Sequence, residues 1–172
     1  LCRVITNAHN NDKIIYVFSN GGATAIANNL LGDHSKGIAT LSEIHPRVVS
    51  LSSSAEIITA LLNDVGSEEV FVGQLKNILR EDDVCIAISS SGNSPNILAA
   101  VEYAKKKGAK VLGLEGFEGG KLSRLADYNI HVPINNYGIV EDVHQSLMHI
   151  MAQHIRALAL KKLNIDIDRI TY

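Results

Sequence analysis

The sequence predicts a three-layer α/β/α sandwich on a five-stranded parallel sheet. Three observations point there. Short apolar runs alternate with longer stretches of helical period along the 172 residues. Those runs are continuous rather than alternating, as strands covered on both faces must be. A composition of 46% apolar and 20% charged residues supplies one sizeable core.

The chain opens LCRVITNAHNNDK, which reads as part of a helix whose first residues lie upstream, and as neither a signal nor a transit peptide. Residues 13–19 (KIIYVFS) form the first strand, being rich in β-branched and aromatic residues. Residues 47–52, 83–88, 110–114 and 128–132 read as four more. Between them 24–31, 55–62, 70–79 and 95–107 have the composition of helices. The segment 116–120 reads as a Gly-rich loop. A last long helix over 140–163 carries Val143, Leu147, Ile150, Met151, Ile155 and Leu158 at helical spacing. No repeat, low-complexity tract or linker divides the chain, so 1–172 is expected to be one domain.

The formal net charge of −2 leaves no basic footprint, so nucleic acid is not an expected partner. No apolar run approaches the length of a membrane span. Cys2 and Cys85 make no framework of cysteines; Cys85, within Val84-Cys85-Ile86-Ala87-Ile88, reads as a small buried hydrophobe. A reducing cytoplasm follows.

Two strand-to-helix loops carry the functional signal. After the first strand comes Ser19-Asn20-Gly21-Gly22-Ala23-Thr24, where paired glycines let the backbone approach a ligand closely. Alone, this loop fits a plain turn slightly better than a ligand site. It is neither a Walker loop nor a GxGxxG fingerprint. After 83–88 come Ser89, Ser90, Ser91, Gly92, Asn93 and Ser94, then Pro95 and a helix. Ser94 is a good N-cap and Pro95 suits the first helical position. The free amides of that first turn and the helix dipole favour an anion, and hydroxyls can donate to it without adding charge. This loop is expected to cradle a phosphate.

The run VCIAISSSGNSPNILAAVEYAKKKGAKVLGLEGFEGGKLSRLADYNIHVP resembles the sugar isomerase (SIS) domain, with its flavodoxin-like fold. Within that family the chain is most similar to phosphoheptose isomerases, which interconvert sedoheptulose 7-phosphate and a heptose phosphate. The resemblance implies that Ser89, Ser90, Ser91 and Ser94 bind the phosphate and that Asn20, Gly21 and Gly22 belong to the sugar site. Ala23 stands where the family usually has serine, and Thr24 is the nearest hydroxyl to replace it. Asp64, in Asn63-Asp64, matches a loop near the sugar chain, although a helix-ending turn explains it as well.

The family's isomerase site holds a histidine and a glutamate four residues apart after NGG, and a glutamine and a histidine eight apart on the last helix. In some members these four bind zinc. Here the positions fall on Asn29, Asp33, Glu141 and His149, of which His149 alone is unchanged. Aldose–ketose isomerisation needs one group to remove a carbon-bound proton and another to protonate or polarise the oxygen. A carboxylate and an imidazole suit those tasks. Asp33 and His149 are the expected pair, with Glu141 in support. Asn29 and Asp33 share a helix face, and His149 lies within about 80° of Glu141 around an ideal helix. His34 and His144 are secondary candidates, His34 as a stand-in for the lost imidazole.

No cofactor is required by this chemistry. Asp33, Glu141 and His149 form an alternative ligand set for zinc or another divalent ion. The expected activity is that of a phosphosugar isomerase. The alternative is a non-catalytic SIS module, either a phosphosugar sensor or an adaptor of the bacterial replication initiator. The resemblance further implies a homotetramer whose neighbouring subunits share a cleft.

Overall fold

The computed structural model describes residues 1–165; the end of the expected domain, residues 166–172, lies outside the described residues. The elements run in the order α1 (Cys2–Asn10), β1 (Ile14–Ser19), α2 (Thr24–Gly32), β2 (Arg47–Ser50), α3 (Ala55–Asp64), α4 (Glu69–Ile78), β3 (Val84–Ser89), α5 (Pro95–Lys106), β4 (Lys110–Gly116), α6 (Leu122–Leu125), β5 (Tyr128–Val132) and α7 (Tyr137–Lys162). All strand pairs are parallel, in the order β2-β1-β3-β4-β5.

Successive strand residues face opposite layers. Ile15 and Val17 of β1 join Ile86 and Ile88 of β3 in a core beneath α1, α2 and α7. Tyr16 and Phe18 join Cys85 and Ala87 in a second core beneath α4 and α5. β3 is buried throughout, β4 from its second residue and β1 nearly so. At the sheet edges, β2 alternates between buried and exposed residues, and β5 buries only Val132. Edge strands lack a neighbour on one side, so the double coverage expected of all five strands holds for the central three.

The chain departs from expectation in two places. Helix α2 does not stop near residue 31 but widens into a π-helical turn over Asp33–Ile38, burying His34 and Ile38. The short α6 follows the Gly-rich loop, where no helix is expected. Among the described residues, no helix is long and apolar enough to cross a membrane.

The chain leaves β1 for the β2 edge, then returns to build β3 on β1's other side. That reversal opens a crevice between the carboxyl ends of β1 and β3, where ligands bind in open α/β sheets. Both ligand loops are at its mouth.

Candidate active site

A cavity of about 300 Å³ occupies this crevice. Ser89, Ser90, Ser91 and Ser94 line one wall and Asn20, Gly21, Gly22 and Ala23 another, while Tyr137 and Glu141 reach over from α7. The four serines expected at the phosphate are therefore brought together. Ser94 occupies the N-cap position with extended backbone, and Pro95 opens α5. Its hydroxyl, however, faces Ser89 Oγ at 3.2 Å instead of capping the helix. In that turn Pro95 has no N–H and Ile97 N donates to Asn96 Oδ1 at 3.0 Å, which leaves the Asn96 amide for an anion.

The serine loop is held from behind. Gly92 has φ +65°, and a Cβ there would lie 2.0 Å from the Gly119 carbonyl oxygen. Leu122 N donates to Gly92 O at 2.9 Å, Gly116 N to Ser90 O at 2.8 Å, and Lys121 N to Asn93 Oδ1 at 3.1 Å. The Gly-rich loop after β4 is thus the buttress of the serine loop, a role invisible in its composition. From the front, the Asn20 and Asn96 amides pair reciprocally, at 2.8 and 2.9 Å, and tie the β1 loop to α5. Asn96 escaped the sequence reading, because it gains its meaning only from a residue 76 positions away.

Glu141 approaches Gly22 so closely that a Cβ there would lie 2.7 Å from Oε2. The glycine gives the carboxylate its room. Tyr137, also unanticipated, sits at the mouth with its ring 4.7 Å from that of Phe117. Asn136, just before it, caps α7 by accepting from Ile139 N at 3.1 Å. The dipeptide Asn135-Asn136 before the last helix was the available signal.

Farther along α7, His149 Nδ1 meets Asp33 Oδ2 at 2.5 Å. The pair is partly exposed, at 41% for His149 and 27% for Asp33. Gln145 Nε2 lies 2.7 Å from His149 Nε2, and Asn29 Nδ2 donates to Gln145 Oε1 at 3.1 Å. Asp33 is the C-cap of α2, with its N–H donating to Asn29 O as in an α-helix, so it keeps the face of Asn29 that meets α7.

Several expected contributors are elsewhere. Thr24 Oγ1 donates to Gly21 O at 2.8 Å and does not line the cavity, because a residue at the start of a helix readily bonds back to the turn before it. Asp64, at the exposed end of α3, accepts from Asn63 Nδ2 at 2.7 Å, far from the serine loop in sequence and outside its cavity. His34 turns away from the dyad into the core, 3.1 Å from His9 Nε2. Burial holds the two imidazoles low, His34 at about 3 and His9 at about 4. His144 is fully buried and contacts Glu115 O at 3.2 Å, so it serves packing.

The expected metal set does not fit this arrangement. Among the described residues no three His, Cys, Asp or Glu side chains are gathered closely enough to hold an ion. His149 has both nitrogens engaged, Asn29 offers an amide in place of an imidazole, and Glu141 lies against Gly22. Asp33, Glu141 and His149 do not form one coordination shell within the chain.

The SIS domain profile matches residues 1–116. The phosphoheptose isomerase of Helicobacter pylori strain P12 is 36% identical over 152 residues, 88% of this chain and 78% of that one. That of Aneurinibacillus thermoaerophilus is 37% identical over 145 residues, 83% of this chain and 72% of that one. The structure of phosphoheptose isomerase from Neisseria gonorrhoeae matches with a TM-score of 0.84 at 28% identity, covering 91% of this chain and 83% of that one. With this strand order, these two loops and these relatives, the chain belongs to the SIS-domain family, in its phosphoheptose isomerase branch.

Proposed function

We propose that the protein is an aldose–ketose isomerase for a phosphorylated heptose of the sedoheptulose 7-phosphate type. The observation that carries this reading is the Asp33–His149 pair, whose histidine is on the same helix that extends Glu141 over the serine cavity. The reaction is a proton shift between neighbouring carbons. A base removes the proton beside the carbonyl, the C–H electrons form the enediol double bond, and the carbonyl oxygen takes a proton. Return of a proton to the former carbonyl carbon, with loss of the hydroxyl proton on the carbon first deprotonated, yields the isomer. Asp33 is assigned the carbon-bound proton, since its Oδ1 makes no hydrogen bond among the described residues. His149 holds Oδ2 and exchanges protons with it, so the proton taken from carbon and the one given to oxygen pass through one pair. Glu141 accepts sugar hydroxyls beside the phosphate cradle. A proton shift needs no redox partner, and no cofactor enters the scheme.

Each site is assigned to a shared cleft in a cytoplasmic homotetramer. Supporting this, Ile139, Ile150 and Leu158 of α7 are 47, 58 and 47% exposed, with half-buried Val143 and Leu147 between them at helical spacing. Helix α3 buries no residue, although it carries Ile57, Leu61 and Leu62. Along α7, His149 stands roughly 12 Å from Glu141, at a rise of about 1.5 Å per residue. A dyad of one subunit serving the serine cavity of its neighbour would close that distance, and Asp64 would reach a site in the same way. Both cysteines are free, which suits a reducing compartment.

The test is incubation with sedoheptulose 7-phosphate in deuterium oxide. An aldose phosphate should accumulate to equilibrium with deuterium at C2, and Asp33→Ala and His149→Ala should abolish both. Binding without exchange for every sugar phosphate tried would make the protein a sensor instead.

A further inference from the structure

The second ring nitrogen of His149 has a partner to which the scheme above gives no role. Gln145 precedes His149 by one helical turn on α7 and sets its side-chain nitrogen 2.7 Å from Nε2. At Nδ1 stands the Asp33 carboxylate, which can only accept, so the ring proton is on Nδ1 and Nε2 is an acceptor. Gln145 therefore donates, and its carbonyl is free to accept from Asn29 at 3.1 Å. Every donor in the row points the same way: from Asn29 to Gln145, to His149, to Asp33. Hydrogen bonds aligned head to tail polarise one another, and this row ends on the group that must act as a base.

We propose that Gln145, braced by Asn29, is the positioning residue of the catalytic pair: it seats His149 in the Nδ1–H tautomer and in the ring rotation that keeps Asp33 aimed. Its importance for turnover rests on the isomerase reading; the seating itself does not. Aspartate has one methylene fewer than glutamate with which to find a substrate carbon. Its usefulness then depends on how rigidly its partner is held, because an error on the order of 1 Å can cost about a hundredfold. Two side-chain amides on facing helices supply that rigidity without adding charge beside an anionic substrate.

The test uses the full chain labelled with ¹⁵N at histidine, read by long-range ¹H–¹⁵N correlation without substrate. His149 should show a protonated Nδ1, with its proton far downfield, and an unprotonated Nε2. In Gln145→Leu the Nε2 signal should move, the downfield proton should broaden, and kcat should fall about tenfold with KM within about twofold. Asn29→Ala, an exposed position, should move the same signals less, and provides the check if Gln145→Leu folds poorly. Three results would overturn the proposal: the Nε2–H tautomer in the unmodified protein, unmoved His149 signals in both variants, or stoichiometric displacement of Gln145 from Nε2 by added Zn²⁺. If the signals behave as expected in a protein that isomerises nothing, the seating stands and the reaction falls. If turnover is normal and the signals are unmoved, the reverse holds.

Discussion

Asp33 Oδ2 and His149 Nδ1 meet at 2.5 Å across 116 residues of chain, joining the π turn after α2 to the middle of α7. Charge-assisted hydrogen bonds of this kind are short and directional, and they make two side chains behave as one group. Asp33→Asn and His149→Asn should each lower kcat by about 10² to 10⁴. The double variant should be little worse than either single one, as for residues acting as a unit. Steady-state kinetics of the three variants decides this. Losses that multiply would mean two independent roles.

Gly92 is where the serine loop is least tolerant. Any Cβ there would meet backbone at 2.0 Å, and φ is +65°. Gly92→Ala should destabilise by more than about 1 kcal/mol and weaken sugar-phosphate binding. Gly22→Ala crowds a flexible carboxylate rather than backbone, so it should perturb binding with little loss of stability. Urea unfolding and calorimetric titration with a sugar phosphate separate the two.

The reciprocal amide pair between Asn20 and Asn96 should behave as a clamp. Either residue changed to alanine loses both hydrogen bonds, so Asn20→Ala, Asn96→Ala and the double variant should raise KM alike. The stability cost should be about 1 kcal/mol because the pair is solvent-exposed. An Asn20→Ala effect much larger than that of Asn96→Ala would show that Asn20 touches the sugar directly.

Stability should fall on both sides of mildly acidic pH. Burial raises the carboxyl of Glu115 from 4.5 to about 7, and neither oxygen has a hydrogen-bond partner. Between those values the unfolded chain ionises first, so Glu115 removes stability as pH rises through that window, with the full cost above about 7. On the acid side, the unfolded chain protonates His9 and His34 below 6.5. The folded chain resists until about 4 and about 3, so stability drains as pH falls from 6.5. Glu115→Gln should match the parent at pH 4.5 and exceed it at pH 8, by thermal or urea unfolding. An equal difference at both values would locate the effect in packing, not charge.

The elements were legible because their signals are local. Strand and helix differ in the spacing of apolar residues, and the serine loop announced itself by hydroxyls placed between a buried strand and a Pro-started helix. All four serines of Ser89–Ser94 line one cavity for that reason. Sequence position does not state which way a helix turns a residue, so the inward turn of His34 and the bond of Thr24 back to Gly21 were not legible there. Asp33 meets His149 on α7, whereas His34, the next residue, turns to His9.

What the chain determined unaided was the sandwich and the anion-seeking loop, both products of periodicity, turn chemistry and helix polarity. Tertiary structure alone decided that Gly119 backs Gly92, that Asn96 clasps Asn20, that Glu141 rests on Gly22, and that Gln145 seats the histidine of the dyad. Each is a contact between elements distant in the chain or a rotation about a helix axis. Such geometry is set when layers pack, and only then does a residue acquire the neighbour that gives it a task.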